Sequence, residues 1–347
     1  MRLINEDGIT GATGNPTIFE QPISKDTAYD EQMQQLLGEG KNAQEVYEAL
    51  ALTDVMKAAQ ILRFIYEQTD GRDGYVSIEV SPLLAYDTAG TLAETRRLWK
   101  ALNSPNVMIK IPATPAGIPA IHQALVEGIN INITLIFSIE NYRQVVEAYL
   151  SALEERRTKG QDIKRIASVA SFFVSRVDVL VDQLIEDKIK TISLHAEQQK
   201  LRGLQGKIAI ANARLIYQEF KRLFANRRFE VLKHLGAEKQ RPLWASTSTK
   251  NPAYRDVLYA EELIGPDTID TMPLKTIENF RDHGRVRYSL EDALPEAKAA
   301  LAALEEEGIH YDQVTQQLQE EGVQRFADSF CALLASIDHK RKVLRTR

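Results

Sequence analysis

The sequence predicts an α/β fold whose parallel strands alternate with helices and close into a barrel rather than an open sheet. Three observations carry this expectation. Short β-branched runs alternate with long stretches whose apolar residues recur at helical spacing. The strand candidates also place their polar residues at period two on one side only. Finally, the glycine-rich start, Gly8-Ile9-Thr10-Gly11-Ala12-Thr13-Gly14, lacks the spacing of a dinucleotide fingerprint, and Asn15-Pro16 stands where that motif requires a helix to open.

Seven strands are expected, at 9–12, 75–80, 107–111, 130–137, 166–173, 242–246 and 268–272. Helices are expected between them at 91–102, 118–127, 139–157, 176–189, 207–224 and 254–263. Strands joined through helices imply right-handed crossovers and a parallel sheet. In such a sheet, strands covered on both faces read as almost wholly apolar. Here Ser77 and Glu79 share one side of their strand against Val76, Ile78 and Val80. Asn130, Asn132 and Thr134 alternate with Ile131, Ile133 and Leu135, Lys110 lines up with Met108, and Ser171 opposes Phe172. One face is greasy and awaits helices; the other converges on something polar, as in a barrel whose site is built from strand ends. Two further helices, 294–304 and 311–337, follow and end in a basic tail. The expected organisation is a single domain over 1–347, with a barrel to about residue 285 and a helical extension from about 290.

Composition bounds the function. The chain has 347 residues, 44% hydrophobic and 26% charged, with a formal net charge of −5. That balance argues against non-specific nucleic-acid binding, so an anionic substrate needs a locally basic pocket. The single cysteine, Cys331, excludes an internal disulfide, and six scattered histidines show no metal-ligand spacing. No metal or other cofactor is expected, and a reducing cytoplasm is the simplest setting. Residues 1–7 turn polar too early for a signal peptide, and no run is long enough to span a membrane.

Lys110 is the most informative residue. It interrupts Val107-Met108-Ile109-Lys110-Ile111, a run that reads as a buried strand, and lysine is rarely buried without a task. Desolvation disfavours the ammonium and favours the free amine, a nucleophile able to form a Schiff base with a carbonyl substrate. The structural alternative is a lysine whose stem packs on the strand end while its head reaches water. Glu79 has its own alternative, a simple ion pair with Lys110.

Four motifs, in order along the chain, resemble the transaldolase family in its longer bacterial form. They are 8–17 (Gly-Ile-Thr-Gly-Ala-Thr-Gly-Asn-Pro-Thr), 108–114 (Met-Ile-Lys-Ile-Pro-Ala-Thr), 130–137 (Asn-Ile-Asn-Ile-Thr-Leu-Ile-Phe) and 170–178 (Ala-Ser-Phe-Phe-Val-Ser-Arg-Val-Asp). The resemblance implies a (β/α)8 TIM barrel of class I aldolase type with C-terminal helices. It implies transfer of a dihydroxyacetone unit from sedoheptulose 7-phosphate to glyceraldehyde 3-phosphate in the pentose phosphate pathway, giving erythrose 4-phosphate and fructose 6-phosphate. It assigns Lys110 to the imine, and Glu79 and Thr134 to holding a water for proton transfer. Asn15, Asn132 and Ser171 would bind the hydroxyls of the three-carbon unit, and Arg176 the substrate phosphate. Ser246 matches a second phosphate contact. The arginine that follows it in shorter relatives is missing from Trp244-Ala245-Ser246-Thr247-Ser248-Thr249-Lys250, so Lys250 is the candidate cation there.

The resemblance also implies a first strand carrying an acid/base aspartate. Residues 1–7 correspond to the end of the helix after it, and Asp7 precedes the second strand and is no replacement. Either the natural start lies upstream, or the chain is a truncated, weakly active or inactive barrel that binds sugar phosphates. A class I aldolase, which shares the imine but releases dihydroxyacetone, is the other alternative. The C-terminal helices would cover the barrel mouth or join subunit contacts such as those of a homodimer, and no fused isomerase domain is expected after Arg347.

Overall fold

A computed structural model of the chain describes residues 2–345, with the side chains of 21, 24, 25 and 341–345 left aside. The basic tail read from the sequence beyond Lys340 therefore lies outside the described side chains. Seven strands are present among the described residues: β1 (Ala12–Thr13), β2 (Val76–Glu79), β3 (Val107–Pro112), β4 (Ile131–Ile136), β5 (Ser168–Phe173), β6 (Arg241–Ala245) and β7 (Ile269–Asp270). Their order in the sheet is their order in the chain. Doubly wound sheets reverse strand order at a switch point, so this unreversed order is that of the (β/α)8 class. The chain divides into two compact units.

The first unit comprises Met1–Asn132, Arg165–Ala167 and Gly322–Arg347. Its strands β1, β2 and β3 pair in parallel, and the register sets Ser77 opposite Met108 and Glu79 opposite Lys110. The helix Ala43–Gln68 packs against β2, and Thr88–Leu102 against β3. Each begins with a side chain that satisfies the free amides of its first turn. Asn42 and Glu45 form a reciprocal capping box, and Asp87 accepts from the Gly90 amide. Buried Asn106 ties helix to strand, donating to the carbonyls of Ala59 and Gly74 at 2.9 and 2.8 Å. Gly74 has φ +86°, and a Cβ there would lie 2.4 Å from the Tyr66 amide nitrogen, so only glycine fits before β2.

One expectation is corrected here. A helix, Pro16–Lys25, does open after the glycine-rich segment, with Asn15 as its N-cap and Pro16 in its first turn. Proline suits that position because its missing amide hydrogen would have no intrahelical partner. The first strand is also shorter and later than expected, Ala12–Thr13, although the Gly74 amide already reaches the Thr10 carbonyl before the Ala12 amide reaches that of Tyr75.

The second unit comprises Ile133–Lys164 and Ser168–Glu321. Strands β5, β6 and β7 are parallel, with Ser171 opposite Leu243 and Phe172 opposite Trp244. Phe172 is the centre of an aromatic layer, with Tyr142 and Trp244 at ring distances of 5.0 and 5.6 Å. Helices Ile139–Thr158, Ser175–Ile189 and Ile208–Phe224 match their expected positions to within one residue at each end. The helix expected at 254–263 contracts to Leu258–Glu262, preceded by turns. Leu294–Glu306 packs along Ile208–Phe224, and Tyr311–Arg345 leads from this unit into the first.

Candidate active site

In the first unit, β3 is buried along its whole length, and Lys110 is only 4% exposed. Its Nζ lies 3.4 Å from Glu79 Oε2, a contact that follows from their opposed positions on neighbouring parallel strands. Burial pushes the Glu79 carboxyl above the usual range, and the lysine charge only partly opposes this. Glu79 Oε2 is buried and makes no hydrogen bond among the described residues. Burial and the lysine thus act on the carboxyl in opposite senses, which suits a group that takes up and returns a proton.

Asn132 donates from Nδ2 to Ser77 Oγ at 3.0 Å, which puts its side chain on the same side of the sheet as Ser77 and Glu79. Asn130 serves the backbone: its amide reaches the carbonyls of Pro105 and Val107, and its oxygen accepts from Ala167. Asn15 commits its side-chain oxygen to the Ile18 amide at 2.9 Å, as the N-cap of the helix Pro16–Lys25. From the far end of the chain comes Phe326, whose ring centre lies 5.7 Å from Lys110 Nζ. No local pattern in the sequence marks that cation–π contact.

In the second unit, Thr134 is fully buried, and its hydroxyl has no hydrogen-bond partner among the described residues. The next residue, Leu135, has φ +58°, a left-handed conformation inside a strand. Backbone strain of this kind is found where a structure aims a side chain at a task. Gln319 donates to the Leu135 carbonyl at 3.1 Å and so braces the distortion.

The second unit also gathers the anion-binding candidates. Ser246 sits directly after β6 with φ +56°, and its hydroxyl meets that of Ser175 at 2.9 Å. Ser175 and Arg176 open the helix Ser175–Ile189, and the Ser175 amide donates to the Ser246 carbonyl at 3.1 Å, which ties the helix start to the end of β6. Lys250 donates to Ser248 Oγ at 2.7 Å. Partial burial, followed by the nearby Arg176 charge, holds the Lys250 ammonium below its usual pKa. Arg176 and Lys250 thus stand close enough for the charge of one to act on the other. Ser171 is buried on β5. No group of three or more His, Cys, Asp or Glu capable of holding a metal occurs among the described residues, and no described helix is long and apolar enough to cross a membrane.

Comparison with known proteins agrees with this geometry. The family model described as transaldolase/fructose-6-phosphate aldolase matches residues 1–337. A transaldolase of Trichodesmium erythraeum is 44% identical over 99% of this chain and 90% of its own length. Transaldolase 1 of Streptomyces coelicolor is 47% identical over 96% of this chain and 86% of its own, and transaldolase 2 of a Nostoc species is 43% identical over 99% and 91%. With a match over almost its whole length, on a sheet of this order and with a lysine buried beside a carboxyl, this chain belongs to the transaldolase/fructose-6-phosphate aldolase family.

Proposed function

We propose that the chain is a transaldolase that forms a Schiff base through Lys110 and passes a dihydroxyacetone unit from sedoheptulose 7-phosphate to glyceraldehyde 3-phosphate. The observation that carries the reading is the buried Lys110–Glu79 pair at 3.4 Å. The Lys110 ammonium gives a proton to Glu79, and the freed amine adds to the ketose C2 carbonyl, one of the nitrogen's remaining protons passing to the C2 oxygen to make the hydroxyl. Glu79 then returns that proton to the C2 hydroxyl, which leaves as water while the nitrogen lone pair completes the iminium. The iminium accepts the electron pair of the C3–C4 bond, so the aldehyde fragment departs and an enamine remains. Breaking that bond also moves the proton of the C4 hydroxyl to a base, the part that the resemblance gives to an aspartate on the family's first strand. Attack of the enamine on the acceptor aldehyde and hydrolysis of the new iminium complete the transfer.

In this reading Glu79 and Thr134 take the water-holding roles that the resemblance gives them, and the buried Thr134 hydroxyl, without a hydrogen bond among the described residues, suits its part. Asn132, Asn15 and Ser171 hold the three-carbon unit, and Arg176, Ser246 and Lys250 hold the phosphate. The pathway is the pentose phosphate pathway, and the setting is the reducing cytoplasm, to which the exposed free thiol of Cys331 is suited. The test is borohydride reduction in the presence of fructose 6-phosphate. A three-carbon adduct on Lys110 together with product from a two-sugar assay supports transfer. Free dihydroxyacetone without transfer indicates the aldolase of the same family, and no adduct on folded protein overturns the reading.

A further inference from the structure

Forming the imine releases one water, and hydrolysing it at the end of the cycle consumes one. Both events occur beside Glu79 in the mechanism above, on which this inference rests. A cleft of about 30 Å³ reaches Glu79 within the first unit, between β2 and the helices Ala43–Gln68 and Thr88–Leu102. That volume has room for roughly two waters. Lys110 does not line it, whereas Glu79, Tyr47, Ala51, Glu48 and Glu94 do.

The polar groups are placed for water. Glu79 Oε2 is buried without a hydrogen bond among the described residues. The Tyr47 ring is held edge-on by Phe19 and Phe330, with centres 6.0 and 5.6 Å away. Its hydroxyl is pushed up above its ordinary pKa, first by burial and then by the charge of Glu79 before those of Glu48 and Glu94. Tyr47 and Glu79 line the same cleft, where the Tyr47 hydroxyl is a donor for water held beside the carboxyl. Towards the surface, Arg97 pairs with both Glu48 and Glu94 and offsets part of their charge, and Gln44 at the cleft wall is exposed.

We propose that this cleft is the water route of the reaction: it takes up the water expelled at imine formation and supplies the one used in hydrolysis, with Tyr47 as the positioning residue that hands water to Glu79. The route reaches Glu79 without passing Lys110. Water can then exchange while sugar and enamine occupy the lysine side, where stray water would quench the carbanion.

The test is exchange of the ketose C2 oxygen with isotopically heavy water, set beside the borohydride endpoint on the full chain. Ala51, 1% exposed, lines the cleft, and Ala51→Leu fills it. The expected result is an exchange rate lower by about tenfold, a barrier change of about 1.4 kcal/mol, with the trapped endpoint retained. Tyr47→Phe keeps the ring packing and removes only the hydroxyl; it is expected to slow exchange severalfold with the same endpoint. Folded Tyr47→Phe protein that exchanges oxygen at the wild-type rate overturns the proposal even where Ala51→Leu fails to fold. A wild-type chain that neither traps nor exchanges overturns the Schiff-base reading itself, which separates the two failures.

Discussion

At the scale of single residues, the structure gives each candidate a distinct failure. Lys110→Ala removes the nucleophile, so trapping by borohydride disappears and turnover falls by roughly a thousandfold or more. Glu79→Gln keeps the shape but cannot carry the proton between ammonium and leaving hydroxyl. Imine formation should slow by roughly a hundredfold or more, read from the rate of adduct trapping, while the adduct still forms. A Glu79→Gln protein that traps at the wild-type rate would show the pair to be structural only. The phosphate candidates act on binding. Lys250→Ala is expected to raise KM for the ketose phosphate about tenfold and leave kcat nearly unchanged, with Arg176→Ala larger in the same sense. The Lys250 effect should vanish for a substrate lacking the phosphate, which a comparison with free fructose would reveal.

At the scale of elements, the strands were legible because a buried strand between helices leaves a compact apolar signature, and because Ser77, Glu79, Asn132 and Thr134 break that signature at period two. That same periodicity placed Lys110 on the polar face before any geometry was known. What stayed hidden depends on distant partners or on conformation. Phe326 over Lys110, Tyr47 in one cleft with Glu79 and the left-handed Leu135 have no local sequence signal. The Pro16–Lys25 helix was missed because Asn-Pro begins turns as well as helices, and the next turn of chain decides which. Asp178 shows how helices in the second unit are joined. Its carboxyl accepts from the Ala209 amide and the Tyr259 hydroxyl, both at 2.8 Å, and burial pushes it from an ordinary 3.8 up to about 7. The folded state thus keeps a proton that the unfolded chain releases. Its contribution to stability is fully present below about pH 4 and is lost as pH rises through about 7. Asp178→Asn imitates the protonated form, accepting from Ala209 and donating to Tyr259. Thermal melting from pH 5 to 8 should therefore be flatter for this variant than for the wild type; an unchanged slope would place the pH dependence elsewhere.

At the scale of the molecule, the first unit is not a contiguous piece of chain, because Gly322–Arg347 is part of it. That segment brings Phe330 against Tyr47, Phe326 over Lys110, and Lys340 to Asp30 and to the carbonyls of Ile23 and Asp26. Contacts so far apart in sequence form late, since the chain must close long loops before they contribute. The unit therefore depends on the end of the chain for both its core and its reactive lysine. Phe326, Phe330, Leu333 and Ile337 are all buried on this segment. At about 1.5 to 3 kcal/mol for each large apolar side chain removed from water, their loss rivals the roughly 5 to 15 kcal/mol stability of a typical domain. Deleting Gly322–Arg347 is accordingly expected to unfold the first unit, seen as loss of amide-exchange protection in β2 and β3, together with loss of the Lys110 adduct. Phe326→Ala separates cover from core. It removes one ring, should cost about 3 to 5 kcal/mol at most, and leaves the rest of the helix in place. If the variant stays folded, the ring's own contribution at Lys110 appears as a change in the rate of adduct formation, because the lysine loses an aromatic face while Glu79 remains. A truncated chain that melts like the full one and still traps substrate would refute this dependence on the last helix.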